Sequence, residues 1–139
     1  MGKVYETIRF GDAASNAEKL GIIITWLVSH HLTEAAFEHE NASAIARLRM
    51  EDMSGAEFFA TILNGEFSSD FLNQEGQDFV EKYFLEGLFN VDYTEVKKQR
   101  EKDGSSLYPH VATKISEAHT KLVKASFLKR KLAKVLNFS

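Results

Sequence analysis

The chain has 139 residues, 44% hydrophobic and 27% charged, with 17 basic against 20 acidic side chains and a formal charge of −3. That length fits one domain with a sizeable core, and the composition excludes a long disordered chain. The absence of cysteine excludes a disulfide framework, a thiolate metal site and a cysteine nucleophile.

In chain order, Lys3 to Phe10 alternates loosely through Val4, Tyr5, Ile8 and Phe10, which predicts a short strand or an extended arm within residues 1–13. The same segment lacks the apolar core of a secretory signal, so a cytoplasmic location is expected. Gly11 to Ser15 punctuates, and Ser15 with Glu18 has the spacing of a capping box that opens a helix over about 16–32. Leu20 to Val28 is the densest apolar run in the chain and holds its single Trp, Trp26. The run is shorter than the roughly 20 apolar residues needed to span a bilayer. A helix apolar on nearly every side must be buried on nearly every side, so this one is expected at the centre of a bundle.

Thr33 is placed to cap a second helix running to about Met50, with Phe37, Asn41, Ala44, Ile45 and Leu48 on its inner face. Ser54-Gly55-Ala56-Glu57 is another capping box, and it opens a short helix carrying Phe58, Phe59, Ile62 and Leu63. Asn64-Gly65 stops that helix. The most regular stripe follows: Leu72, Gly76, Phe79, Val80, Tyr83, Phe84, Gly87 and Leu88. Glycine on its buried face predicts close packing against another helix. Asp92 and Glu95 offer a cap for a polar helix ending near Arg100, and residues 101–106 read as a loop. Pro109 pre-sets the first turn of a long basic C-terminal helix, placed at 112–138. Its stripe is Val111, Ile115, Ala118, Leu122 and Ala125, resuming as Leu128, Leu132, Val135 and Leu136, and is expected to dock on the core. Residues 1–139 therefore form a single all-α domain, a bundle of five to six helices around the central apolar one.

Few residues carry recognisable chemistry. The five His have no H-E-x-x-H spacing, and no G-x-S-x-G elbow or phosphate-cradling glycine loop occurs. No catalytic, cofactor-binding or metal-binding residue is assigned, and no enzyme activity or cofactor is expected. An enzyme of unrecognised type would be favoured by a deep pocket lined by Trp26 and Tyr83. Most of the aromatics sit at core spacings, but Phe67, Phe71 and Phe89 fall at element ends, where they could serve as exposed anchors, and an exposed aromatic patch leaves a homodimer open.

Charge is segregated. Between Glu34 and Glu95 there are 14 acidic and 3 basic side chains, a local charge of −11. From Ala112 onward 7 basic residues face only Glu117. The two parts either complement each other within the fold or present an acidic surface to a basic partner. Lys121, Lys124, Lys131 and Lys134 with Phe127 outline a nucleic-acid-associated or membrane-surface helix. The acidic balance of the whole chain argues against nucleic acid, and a solvated outer face over a docked leucine stripe is expected instead, with no membrane partner.

The blocks Asn16-Ala17-x-x-x-Gly21-x-x-x-Thr25-Trp26-Leu27, Ser54-Gly55-x-Glu57-Phe58-Phe59, Leu63-Asn64-Gly65-Glu66 and Glu75-Gly76-x-x-Phe79-x-x-x-Tyr83-Phe84 resemble a family of small uncharacterised bacterial helical domains. Those domains are encoded near polymorphic or type VI secretion toxins and look like immunity proteins. The resemblance spans residues 14 to 95, with Lys19 and Leu20 departing from the first block. It implies a cytoplasmic inhibitor that binds a cognate toxin domain one-to-one. Toxins acting on nucleic acid carry cationic clefts, towards which an acidic segment would steer. Contacts are expected at Glu34, Glu38, Glu40, Glu66 and Asp70.

Overall fold

A computed structural model of the chain describes residues 3–7, 13–104 and 106–137. These form an all-α domain with one small antiparallel sheet. The order is β1 (Val4–Thr7), α1 (Ala13–Ser29), α2 (Ala35–Glu40), α3 (Ala42–Arg49), α4 (Gly55–Thr61), β2 (Glu66–Ser68), a 3-10 turn (Ser69–Phe71), α5 (Gln74–Tyr83), α6 (Leu88–Asp103) and α7 (Leu107–Asn137). Ile8, Phe10, Gly11 and the side chains of Val135 and Leu136 lie outside what is described, and Ser15 does not open α1, which already starts at Ala13.

The apolar run of α1 is the centre of the core. Ile23, Ile24, Trp26, Leu27 and Val28 are fully buried, and α1 packs against α3, α4 and α7. Burying each such side chain contributes roughly 1.5–3 kcal/mol. The helix ends at Ser29, earlier than expected, because His31 turns left-handed (φ 59°) while Leu32 donates back to the Leu27 carbonyl at 3.0 Å. Trp26 joins three elements. Its indole N–H donates to Ser116 Oγ on α7 at 2.9 Å, and its ring stacks on His30 and lies 5.2 Å from Phe79 of α5.

Where α1 crosses the start of α4, backbone meets backbone. A Cβ added to Gly21 would stand 2.5 Å from both Ala56 N and Gly55 C, and one added to Gly55 would stand 2.5 Å from Thr25 Oγ1. Ser54 caps α4 by accepting from Glu57 N at 3.0 Å, the capping box in the sequence. Asn64 and Gly65 both have positive φ and stop the segment, also as expected.

Other expectations need correction. The helix predicted from Thr33 to Met50 is two helices. Asn41 interrupts it with φ −120°, closing α2 with both its backbone N–H and its side-chain amide donating to the Phe37 carbonyl. Thr33 is not the cap: it is buried, forms a bridge with Leu72 and donates to the Glu38 carboxylate. The stripe expected to reach Leu88 stops at Tyr83, because Gly87 takes φ 90° and redirects the chain, leaving Leu88 48% exposed. Gly76 is tightly covered, but by the Leu32 carbonyl and Leu72 rather than by another helix. Asp92 caps nothing: it lies inside α6 and accepts from Tyr83 OH at 2.6 Å. The predicted 101–106 loop shrinks because α6 continues to Asp103, where Gly104 closes it with φ 71°.

Phe67, Phe71 and Phe89, entertained as exposed anchors, are buried in an aromatic chain with Phe84 and Tyr83. Trp26 and Tyr83 are themselves fully buried. On α7, Val111, Ile115, Ala118 and Leu122 pack on the core as expected. Leu128 and Leu132 do not: they are 57% and 62% exposed. Hydrophobic spacing continues along the helix after the body it packs on has ended.

β1 was expected as strand or arm and is a strand. Its partner β2 has no signal of its own in the sequence, since three residues between helices carry no period. The register places Val4 opposite Ser68 and Thr7 opposite Glu66, with a bulge at Tyr5, whose ring packs edge-on against Phe67.

Substituting Gly55→Ala should destabilise the protein by at least about 2 kcal/mol in urea unfolding, because the added methyl meets backbone that cannot rotate away. All four tyrosines hold their protons beyond the ordinary phenol range near 10: burial comes first in each, joined at Tyr83 by the hydrogen bond and charge of Asp92, while Tyr5 is pushed up to about 12. The unfolded chain loses these protons near pH 10 and the fold does not. Stability should therefore be intact below that pH and fall as pH rises through it. Absorbance at the phenolate band should rise together with loss of helical circular dichroism; phenolate appearing first in a fully folded protein would contradict this.

Candidate acidic partner-binding cleft

The cleft starts from a short backbone join. Glu34 N donates to the Phe71 carbonyl at 2.9 Å and Asn73 N to the Leu32 carbonyl at 3.0 Å, around the Thr33–Leu72 bridge. This draws the first residue of the α2 segment onto the 3-10 turn. Asn73 reinforces it, donating to the His31 carbonyl and accepting from Gly76 N to cap α5. From the other side, Leu63 and Gly65 donate to the Phe58 and Phe59 carbonyls, folding the end of α4 back so that β2 runs beside α2.

Between these segments lies a cavity of about 360 Å³. Its walls include Phe37, Ile62, Leu63 and Phe71, and Glu34, Glu40, Glu66 and Asp70 border it. Four of the five acidic residues singled out in the sequence thus meet at one depression, although up to 36 positions separate them. All four are exposed, and none forms an ion pair among the described residues. The accessible lining is more polar than apolar, with Phe71 itself buried, so the depression is a carboxylate-rimmed surface suited to lysine or arginine side chains of a partner.

Glu38 is different. Its carboxylate accepts from Thr33 Oγ1 at 2.5 Å and pairs with Arg49 at 3.4 Å, and Arg49 in turn donates to the Val28 carbonyl at 3.0 Å. It ties α2 and α3 to the end of α1, and it does not border the cavity. Sequence spacing put Glu34 and Glu38 on one helical turn but could not show that Arg49 would claim one of them. Of the two aromatics behind the depression, Phe37 reads in the sequence as the inner face of a helix, and Phe71, offered as an exposed anchor, is buried beneath it. Their rings lie 5.5 Å apart.

The acidic middle and basic α7 complement each other only in part. Lys114 pairs with Glu95 at 4.0 Å and the His119 imidazole lies 3.4 Å from Glu75, whereas Lys121, Lys124, Lys129, Arg130 and Lys131 form no ion pair among the described residues. Among the described residues no group of His, Asp and Glu is arranged to hold a metal, and no helix is long and apolar enough to cross a membrane.

Residues 11–108 match a family model described as a domain of unknown function, DUF7832. No curated protein and no solved structure matches the chain. The matched span contains the whole cleft, and most of α7 lies beyond it.

The two kinds of carboxylate should separate in stability measurements. Glu38→Ala should cost about 1–2 kcal/mol, since it strips Thr33 and Arg49 of their acceptor. Glu40→Ala should stay within about 0.5 kcal/mol of the parent, as an exposed change without partners does. Equal losses in chemical denaturation would contradict the division of roles.

Proposed function

Because the chain belongs to the DUF7832 family, whose description assigns no activity, we propose its function from the site: an immunity-type protein that binds and neutralises a cognate bacterial toxin domain through the acidic cleft. The observation that carries the reading is the convergence of Glu34, Glu40, Glu66 and Asp70 on one surface depression backed by Phe37 and Phe71. The resemblance to toxin-associated helical domains supports the same role. The partner is a protein with a basic surface, bound one-to-one in the cytoplasm.

The physics of such inhibition asks little chemistry of the inhibitor. A toxin that handles phosphates concentrates cations in its active cleft, and a carboxylate ring opposite those cations accelerates encounter and rejects neutral or acidic surfaces. Affinity then comes from an anchor seated in the depression, where water is excluded and the surrounding charges strengthen. The neighbouring Glu38–Arg49 pair holds α2 in place, so the rim carboxylates need little rearrangement on binding.

The test is co-expression with the product of the adjacent gene, followed by affinity measurement. A one-to-one complex is expected, and Glu40→Lys with Asp70→Lys should weaken it about 100-fold while unfolding is unchanged. Binding should also weaken steeply with salt. A complex indifferent to both charge reversal and salt would rule out the cleft as the contact.

A further inference from the structure

We propose that the exposed end of α7 is a docking arm that seats in the acidic cleft of a second copy of this chain. The core contacts of α7 end near Ala118 and Leu122, yet the helix runs on to Asn137. At 1.5 Å per residue that leaves an arm of about 22 Å. The arm carries large apolar side chains in the open: Val123 at 46% exposure, Phe127 at 65%, Leu128 at 57% and Leu132 at 62%.

Its chemistry is the complement of the cleft. Phe127 has Lys124 three residues before it and Lys131 four residues after it, so one aromatic ring and two cations share a helix face. The cleft has an aromatic and aliphatic wall with four carboxylates around it. Neither set of charges is neutralised within its own chain among the described residues. Charge also selects the occupant. Pairing two α7 arms with each other would set Lys129-Arg130-Lys131 against the same triplet, a repulsive arrangement. Cations interleave the apolar positions of the arm, which leaves no wide uncharged face for a lipid surface. The acidic middle of the same molecule opposes phosphate-bearing polymers.

Mutual exchange, each arm in the other copy's cleft, gives a closed two-fold dimer and doubles the buried surface, towards the roughly 1,600 Å² typical of stable interfaces. The arm and the proposed toxin contact share the cleft, but dimerisation is measured with no toxin present, so either idea can fail alone.

Sedimentation equilibrium of the full chain tests the proposal. The parent should dimerise at low salt, with the dissociation constant rising at least tenfold in high salt. Lys124→Glu with Lys131→Glu should give a monomer, as should Glu40→Lys with Asp70→Lys, both with unchanged circular dichroism. Mixing the two reversed variants should restore a dimer containing one of each, in which the native arm meets the native cleft and the reversed arm meets the reversed cleft. A monomeric parent would overturn the proposal, as would dimers untouched by either reversal or a mixture that fails to pair. So would an arm reversal that abolishes binding to anionic phospholipid vesicles or duplex DNA while leaving sedimentation unchanged.

Discussion

Two glycines without side chains set the frame of this molecule. Gly21 on α1 and Gly55 at the start of α4 let the two backbones touch, with the Thr25 hydroxyl turned back onto the Gly21 carbonyl at 2.7 Å. No other residue pair could bring these helices so close. Because α4 is only seven residues long, its entry point also determines where it ends. The left-handed stop at Asn64-Gly65, strand β2 and the 3-10 turn all follow from that position. The acidic cleft lies between this returning segment and α2, so a contact in the core decides where surface charge is displayed.

Trp26 carries the same frame to the other side. Its ring sits among His30, Phe79 and His119, and its N–H reaches Ser116, so α1, α5 and α7 share one buried node. His119 closes the node from α7, its imidazole 3.4 Å from Glu75. From Phe79 and Tyr83 the aromatic contacts continue through Phe89, Phe84 and Phe67 to Phe71 and Phe37 at the cleft wall. Each such pair adds about 0.5–1.5 kcal/mol beyond simple burial. The cleft wall is therefore one end of the core and inherits its rigidity, as a preorganised binding surface requires.

Much of the fold was legible where one local rule acted alone. The apolar run of α1, the Ser54 cap, the Asn64-Gly65 stop and the Pro109 start each reflect a single short-range preference, and each appears. Reading failed where two groups competed for one partner. Asn41 adds its side chain to the Phe37 carbonyl at the α2–α3 junction, Thr33 gives its hydroxyl to Glu38 rather than to a cap, and Asp92 accepts from Tyr83 inside α6. It failed again where periodicity outran the body beneath it, since nothing in Leu128 and Leu132 says that the core stops at Leu122. The site was legible as charge. The exposure of Glu34, Glu40, Glu66 and Asp70 follows from the segregation of acidic residues onto the outer side of the second helix and the 64–75 connection. The apolar wall between them depends on the Thr33–Leu72 bridge, a long-range pairing with no sequence period.

The central claim is that binding happens at the cleft between α2 and β2. The direct measurement is an amide chemical-shift map of the isotope-labelled protein, titrated with the purified product of the adjacent gene. The account predicts perturbations concentrated at residues 34–40 and 62–71, with the α6–α7 turn unaffected. Shifts centred on residues 95–114, with the cleft amides unmoved, would contradict it.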